Sequence, residues 1–235
     1  MLVYVAATCV LWALSGGLAI GAGLGLAAGS VSPRLPWRTF SGAAITLTRG
    51  VPTSLLVVTA GIISIRIPPQ RWLPDPFPGT ATGSAPVAWA VLIALALGST
   101  GHLAVIFRTA YTGLGRARLD QSAVLGLGAR RRIVMLGREA AATAVPPTGA
   151  RLVHHLHNTA FAALFPVTEL FGWIENNANA TFDVVRYATA GAAVYVVLSG
   201  LIWAAFRVLE LWLDRSGALP PARSRRPVLA TGAPR

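Results

Sequence analysis

The chain has 235 residues, of which 54% are hydrophobic and only 12% charged, and its apolar residues form runs too long for a soluble core. A soluble globular protein is therefore excluded, and the sequence predicts an all-α transmembrane protein. The formal charge is +12, and all the basic residues are arginines that flank the apolar runs, as positive residues do on the cytoplasmic side of a membrane. We therefore expect membrane lipid, and not nucleic acid, beside the basic surface.

The first apolar run, residues 4–29, has no basic residue before it and is too long for the core of a signal peptide. We expect it to remain as a helix. Within it a glycine recurs every four residues, which places small residues on one face where another helix can approach closely. These glycines are Gly17, Gly21, Gly25 and Gly29. Chance spacing of glycines in an apolar run is the alternative.

Four further runs are long enough to cross a hydrocarbon core of ~30 Å. They cover residues 42–65, 86–107, 140–165 and 187–213. Arginines are concentrated in the links after the first and third runs and after the fifth run, whereas acidic residues balance them in the other links. The positive-inside rule then predicts five spans, with the N-terminus outside and the C-terminus in the cytoplasm.

The predicted transmembrane domain covers residues 1–215, and the proline- and arginine-rich residues 216–235 form a predicted disordered cytoplasmic tail. The long cytoplasmic link, about residues 112–139, contains two short apolar faces separated by Gly126 and Gly128. This pattern indicates a helix, a break and a second helix. Such a pair would dock into a groove of a soluble partner or lie flat on anionic lipid, and the pattern leaves both open.

Within this link, "LDQSAVLGLGARRRIVML", followed by "VPPTG", resembles the cytoplasmic signature loop of permease subunits in binding-protein-dependent ABC importers, especially those for polar amino acids. Three other segments resemble the same family in the same order. They are "RGVPTSLLVV", "GSTGHLAVIFR" and "HNTAFAALFPVTEL". The resemblance covers nearly the whole chain, about residues 18–213.

The resemblance implies that the loop docks as a coupling helix into a separate ATPase subunit. The residues at the positions of the family motif are Asp120, Gln121, Ser122, Gly126 and Leu127. The resemblance also implies a second permease subunit, identical or homologous, an extracytoplasmic solute-binding protein and a bacterial inner membrane. Both motif alanines are replaced here, and family acids are missing at Thr46 and Val105.

No chemistry of its own is expected of this chain. A P-loop requires a lysine that reaches the terminal phosphates, and the sequence contains no lysine. We therefore expect no cofactor on this chain, with ATP and Mg²⁺ bound to the partner ATPase. His154 and His157 share a helix face, but they lack a nearby acid or cysteine, so we expect no metal site.

Polar side chains inside apolar spans usually face the bundle interior or a water-filled path. The candidate substrate-path residues are Ser99, Thr100, His102, Arg151, His154, His157 and Asn158. The alternative interpretation of Arg151 is that its guanidinium extends to the cytoplasmic surface of the membrane. For Ser99 and Thr100 the alternative is hydrogen bonding between helices.

The sequence therefore predicts a permease subunit, not an enzyme, of an ABC importer for an amino acid or a related small polar solute. Loss of the family acids together with Arg151 favours a neutral or acidic solute over a cationic one. The alternative is a membrane scaffold or regulatory subunit that keeps the permease fold without transport. An independent secondary transporter is disfavoured because the spans lack a carboxylate to couple protons or sodium.

Overall fold

The computed structural model describes residues 1–67, 74–76, 85–114, 124 and 129–215, without the side chains of residues 129–135 and 215. Within these ranges all regular structure is helical, which confirms the predicted all-α class. The helices are α1 (Leu2–Ser30), α2 (Leu35–Gly50), α3 (Thr53–Ile65), α4 (Ala85–Thr112), α5 (Ala129–Asn158), a 3-10 helix (Thr159–Leu164), α6 (Leu170–Thr181) and α7 (Val184–Arg215). The predicted tail, residues 216–235, lies outside the described residues.

Three described helices are long and apolar enough to cross a membrane: α1, α4 and residues 184–214 of α7. A fourth crossing results if α2 and α3 together count as one broken span. The predicted span at residues 140–165 is helical almost throughout but does not belong to this set. Its hydropathy is lowered by Arg151 and by the histidines that follow it.

The second predicted span, residues 42–65, is not one continuous helix. α2 and α3 meet at an angle of 95° across Val51 and Pro52. Val51 is extended, with φ −99° and ψ 127°, because the ring of a following proline disfavours the helical region. The expectation of a straight span therefore has to be corrected to two helices joined by a sharp bend.

α4 is the central helix and packs against α1, α2, α3 and α5. Its apolar residues, with Leu92 and Leu95 fully buried, form the main core together with Leu11 of α1 and Val57 of α3. Glycines in α4 let the bent pair α2/α3 approach. The side chain of Thr53 lies against Gly98, where an added Cβ would be 2.5 Å from its hydroxyl oxygen. This close fit places the bend of α2/α3 beside the middle of α4.

Three of the four glycines in the predicted stripe of α1 face away from the rest of the described chain. A Cβ added at Gly17, Gly21 or Gly25 would meet no described atom within 4 Å, whereas one at Gly29 would meet Ser41 of α2. Within the chain, the close approach of α1 to α4 falls instead at Gly23, whose added Cβ would be 3.0 Å from Leu103 Cβ. The stripe therefore remains a prediction for packing against another chain.

Glu169 connects three helices near the end of the bundle where α6 begins. Its fully buried carboxylate accepts hydrogen bonds from the Gly172 amide (2.8 Å), Thr8 of α1 (3.2 Å) and Tyr195 of α7 (3.3 Å). Burial raises the pKa of the Glu169 carboxyl, and these hydrogen bonds oppose that shift. The side chain thus caps α6 and fixes it to both α1 and α7.

Candidate functional site

The middle of α5 carries a polar face directed at α4 and α1. Arg151, His155 and Asn158 share this face because they are spaced four and three residues apart. His155 is fully buried, and Asn158 is 6% exposed. A buried polar face in an otherwise apolar bundle requires specific partners, since an unpaired polar group there is destabilising.

His155 is bonded on both sides of its ring. Its Nδ1 lies 2.8 Å from Ser99 Oγ of α4, and its Nε2 lies 2.8 Å from Ser15 Oγ of α1. Ser15 already donates its hydroxyl hydrogen to the Leu11 carbonyl at 2.5 Å, so its oxygen accepts a hydrogen bond from the His155 Nε2–H group. Ser99 therefore donates to Nδ1. This arrangement fits a neutral imidazole with its hydrogen on Nε2.

The Arg151 guanidinium lies next to this pair. Its Nη2 donates to the Gly98 carbonyl at 2.6 Å and to Ser99 Oγ at 3.2 Å. Gly98 is near the middle of α4, roughly 20 Å from either end of the helix at 1.5 Å per residue. The Arg151 side chain therefore lies against the middle of α4 and not at an end of that helix.

Arg151 also has an unused hydrogen-bond donor. Its Nε is buried and has no hydrogen-bond partner, and within the described part of the chain no carboxylate pairs with its guanidinium. His102 of α4 and His154 lie close enough to Arg151 to interact with it electrostatically, and His102 also interacts with Arg49 at the end of α2. The result is a group of basic side chains with a donor left for an anionic ligand atom.

Three of the predicted path residues lie elsewhere. His157 points to α7, where its Nε2 is 3.1 Å from Ser199 Oγ and its ring packs edge-on against Tyr195. Thr100 is buried and donates to the Ala96 carbonyl of its own helix at 2.8 Å. Asn158 lies two turns beyond Arg151, and its buried Nδ2 has no hydrogen-bond partner among the described residues. Of the predicted path residues, the structure therefore brings together Ser99, His102, Arg151 and His154, in one group with Ser15, Arg49 and His155.

Sequence reasoning missed three members of this group: Ser15, Arg49 and His155. His155 was detectable, because it lies four residues after Arg151 and three before Asn158, on the same helix face. Ser15 gave no signal within a run of small and apolar residues. Arg49 was recognised only as part of a family-like segment.

The described residues contain no group of three or more histidine, cysteine or acidic side chains that could hold a metal ion. His154 and His157 diverge, since only His157 is directed at Ser199. The predicted coupling residues Asp120, Gln121, Ser122, Gly126 and Leu127 lie outside the described residues.

No protein-family model and no curated protein matches this sequence. Solved structures do share its fold. A crystal structure of an amino acid ABC transporter with histidines superposes with a TM-score of 0.71 at 17% identity, over 88% of this chain and 91% of that chain. Two inward-facing crystal forms of the MetNI methionine ABC transporter give TM-scores of 0.64 at 14% identity and 0.68 at 16% identity. Each of these two superpositions covers 88% of this chain. They cover 91% and 93%, respectively, of the methionine transporter chain.

At such identities the likeness establishes the fold, which is that of ABC transporter permease chains. The resemblance drawn from the sequence segments is thereby confirmed at the level of the fold.

Proposed function

We propose that this chain is the permease subunit of an ABC importer, and that it binds its solute at Arg151. Two such subunits, identical or homologous, would enclose the path in a bacterial inner membrane. Separate ATPase subunits would bind the loop at residues 112–139 and hydrolyse ATP, and an extracytoplasmic binding protein would deliver the solute. The shared fold and the absence of lysine from the sequence, which excludes a P-loop, support this assignment.

The observation that carries the solute assignment is the unpartnered Nε of Arg151 among basic neighbours. A carboxylate placed there would accept a charge-assisted hydrogen bond from the Arg151 guanidinium. A cationic side chain would be repelled by the same guanidinium. The proposed solute is therefore a neutral or acidic amino acid, or a related small zwitterion.

The test uses the chain purified with its ATPase, reconstituted in liposomes and assayed for solute-stimulated ATP hydrolysis across the amino acids. Arg151→Gln should raise the half-maximal solute concentration at least about tenfold, because a hydrogen bond to a charged group contributes ~1.5–3 kcal/mol. Arg207→Gln is the matched control, since Arg207 pairs with Glu210 at the exposed surface of α7 at 2.7 Å.

A preference for arginine or lysine, or an Arg151→Gln variant that behaves like the control, would contradict the solute site. A complex that binds the ATPase but responds to no solute would instead support the scaffold alternative.

A further inference from the structure

An apolar cavity lies next to the polar group around Arg151 without including it. It has a volume of about 660 Å³ and is open to the surface, with walls formed by α1, α4, α5 and α7. Its walls are almost entirely apolar, with Leu24, Phe107 and Phe206 among the side chains that form them. Small-molecule sites typically have volumes of ~300–1,000 Å³, so the space is large enough for a ligand. A polar solute would find few partners there, which separates this cavity from the proposed transport path.

The cavity has the length of one membrane leaflet. It extends along α1 from Ile20 to Val31 and along α5 from Gly137 to Thr148. Each stretch rises roughly 16 Å at 1.5 Å per residue. Half of a hydrocarbon core of ~30 Å is about the same length. The shape therefore matches an acyl chain that enters from one leaflet.

One end of the cavity is lined by exposed residues, two of them polar. Arg108 and Tyr111, near the C-terminal end of α4, line it together with Val31 and Gly137, so these residues mark its mouth. Arg108 is exposed, and its guanidinium has no ion pair or hydrogen bond within the described part of the chain. Thr148 lines the deep end, three residues before Arg151. A free guanidinium beside an apolar opening suits a phosphate joined to a hydrocarbon chain.

We propose that this cavity binds one acyl chain of an anionic phospholipid, with the lipid phosphate on Arg108. In the five-span topology the mouth lies at the cytoplasmic leaflet, where α1, α4 and α7 end and α5 begins. The anionic lipids of that leaflet are attracted by the arginines that flank the spans. The bound chain fills the space between four helices and ends one helical turn from the side chain of Arg151.

Two variants add bulk to the wall of the cavity. Gly137 lines the cavity, and a Cβ added there would meet no described atom within 4 Å, so Gly137→Leu places its side chain in open space. Ala140→Leu fills the same wall one turn deeper and serves as the second variant. Gly21→Leu is the matched control, because Gly21 also has no described neighbour within 4 Å but does not line the cavity.

The experiment is native mass spectrometry of the full-length chain in detergent, with palmitoyl-oleoyl phosphatidylglycerol or the corresponding phosphatidylcholine added at equal concentration. The wild type should retain one phosphatidylglycerol in preference to phosphatidylcholine. Gly137→Leu and Ala140→Leu should each lower retention of the anionic lipid about tenfold, and Gly21→Leu should retain it. Arg108→Gln should bind both lipids equally.

The proposal is overturned if the filled variants retain lipid as the wild type does, or if Gly21→Leu loses it equally. It is also overturned if the wild type retains no lipid, as expected when residues 115–128 or a second copy of the chain occupy the space. Equal retention of the two lipids by the wild type would contradict the role of Arg108. None of these measurements involves transport, so they can fail independently of the proposed permease function.

Discussion

His155 acts on the orientation of the Arg151 side chain through Ser99 Oγ, which contacts both residues. Ser99 Oγ accepts from Arg151 and donates to His155 Nδ1, and Ser15 holds the other side of the imidazole. Loss of the Nδ1 contact frees the Ser99 hydroxyl to rotate, which weakens the acceptor that Arg151 uses. His155 is therefore a positioning residue for the proposed solute site.

Two substitutions separate the two sides of the ring. In His155→Asn the amide occupies the place of Nδ1 and retains the contact with Ser99, whereas in His155→Gln it occupies the place of Nε2 and retains the contact with Ser15. We expect Gln to raise the half-maximal solute concentration about three- to tenfold, since a hydrogen bond contributes ~0.5–1.5 kcal/mol, and Asn to raise it less. The assay is solute-stimulated ATP hydrolysis.

Ser15→Ala is the control for this comparison, because it removes only the bond on the side of α1. It should lower the melting temperature of the complex while leaving the solute dependence near that of the wild type. If all three variants lower the melting temperature and none changes the solute dependence, His155 has only a structural role.

The sequence identified Arg151 as a candidate site residue, but it could not show which of the histidines after Arg151 faces the same helices. Successive residues on a helix differ by about 100° in direction, so His154, His155 and His157 point to different neighbours. His154 is exposed, His155 is buried between α1 and α4, and His157 contacts Ser199 of α7. Which direction faces which helix depends on packing, and composition does not contain that information.

At the element scale, α4 accepts the bent pair α2/α3 because two of its residues lack a side chain. A Cβ added at Gly101 would be 3.0 Å from the Ile45 carbonyl oxygen and would also meet the side chains of Thr48 and Arg49. The carbonyl belongs to the backbone of α2 and cannot move aside without shifting that helix. Gly101 is therefore a fixed contact between the two helices.

Gly101→Ala should destabilise the protein by ~1–3 kcal/mol through overpacking, although alanine favours a helix over glycine by ~0.5–1 kcal/mol. Gly200→Ala in α7 is the matched control, because its added Cβ would meet no described atom within 4 Å. Thermal melting of the purified protein in detergent should show a lower midpoint for Gly101→Ala and an unchanged or higher one for Gly200→Ala. Equal shifts would mean that α2 does not contact α4 at this point.

Hydropathy located the long apolar helices α1, α4 and α7 but did not show the bend between α2 and α3. The run at residues 42–65 is apolar on both sides of Pro52, and a window average does not register a single residue. The proline itself was the available signal, since it disfavours a helical conformation at Val51. The angle of 95° cannot be deduced from that signal, because it depends on how both helices pack against α4.

At the scale of the whole molecule, the number of spans decides where the arginines lie. If only the three apolar helices α1, α4 and α7 crossed the membrane, the arginine-rich link at residues 116–138 and the arginine-rich tail would lie on opposite sides of it. With α2/α3 as a fourth span, the tail would lie outside. Only a fifth crossing, through the second half of α5, places both of them and the link after α1 on one side. The positive-inside rule therefore favours five spans.

Reporter fusions test this arrangement at two positions. A fusion after Arg215 should be active only with a cytoplasmic reporter, and a fusion near Gly79 only with an external one. An external C-terminus would indicate four spans, and a cytoplasmic residue 79 would indicate three, since α2 and α3 would then not cross. With five spans, Arg151 and His155 lie inside the membrane, where a partly buried arginine without a carboxylate partner is costly unless a ligand binds it. The two reporters therefore also test whether the proposed solute site lies within the membrane.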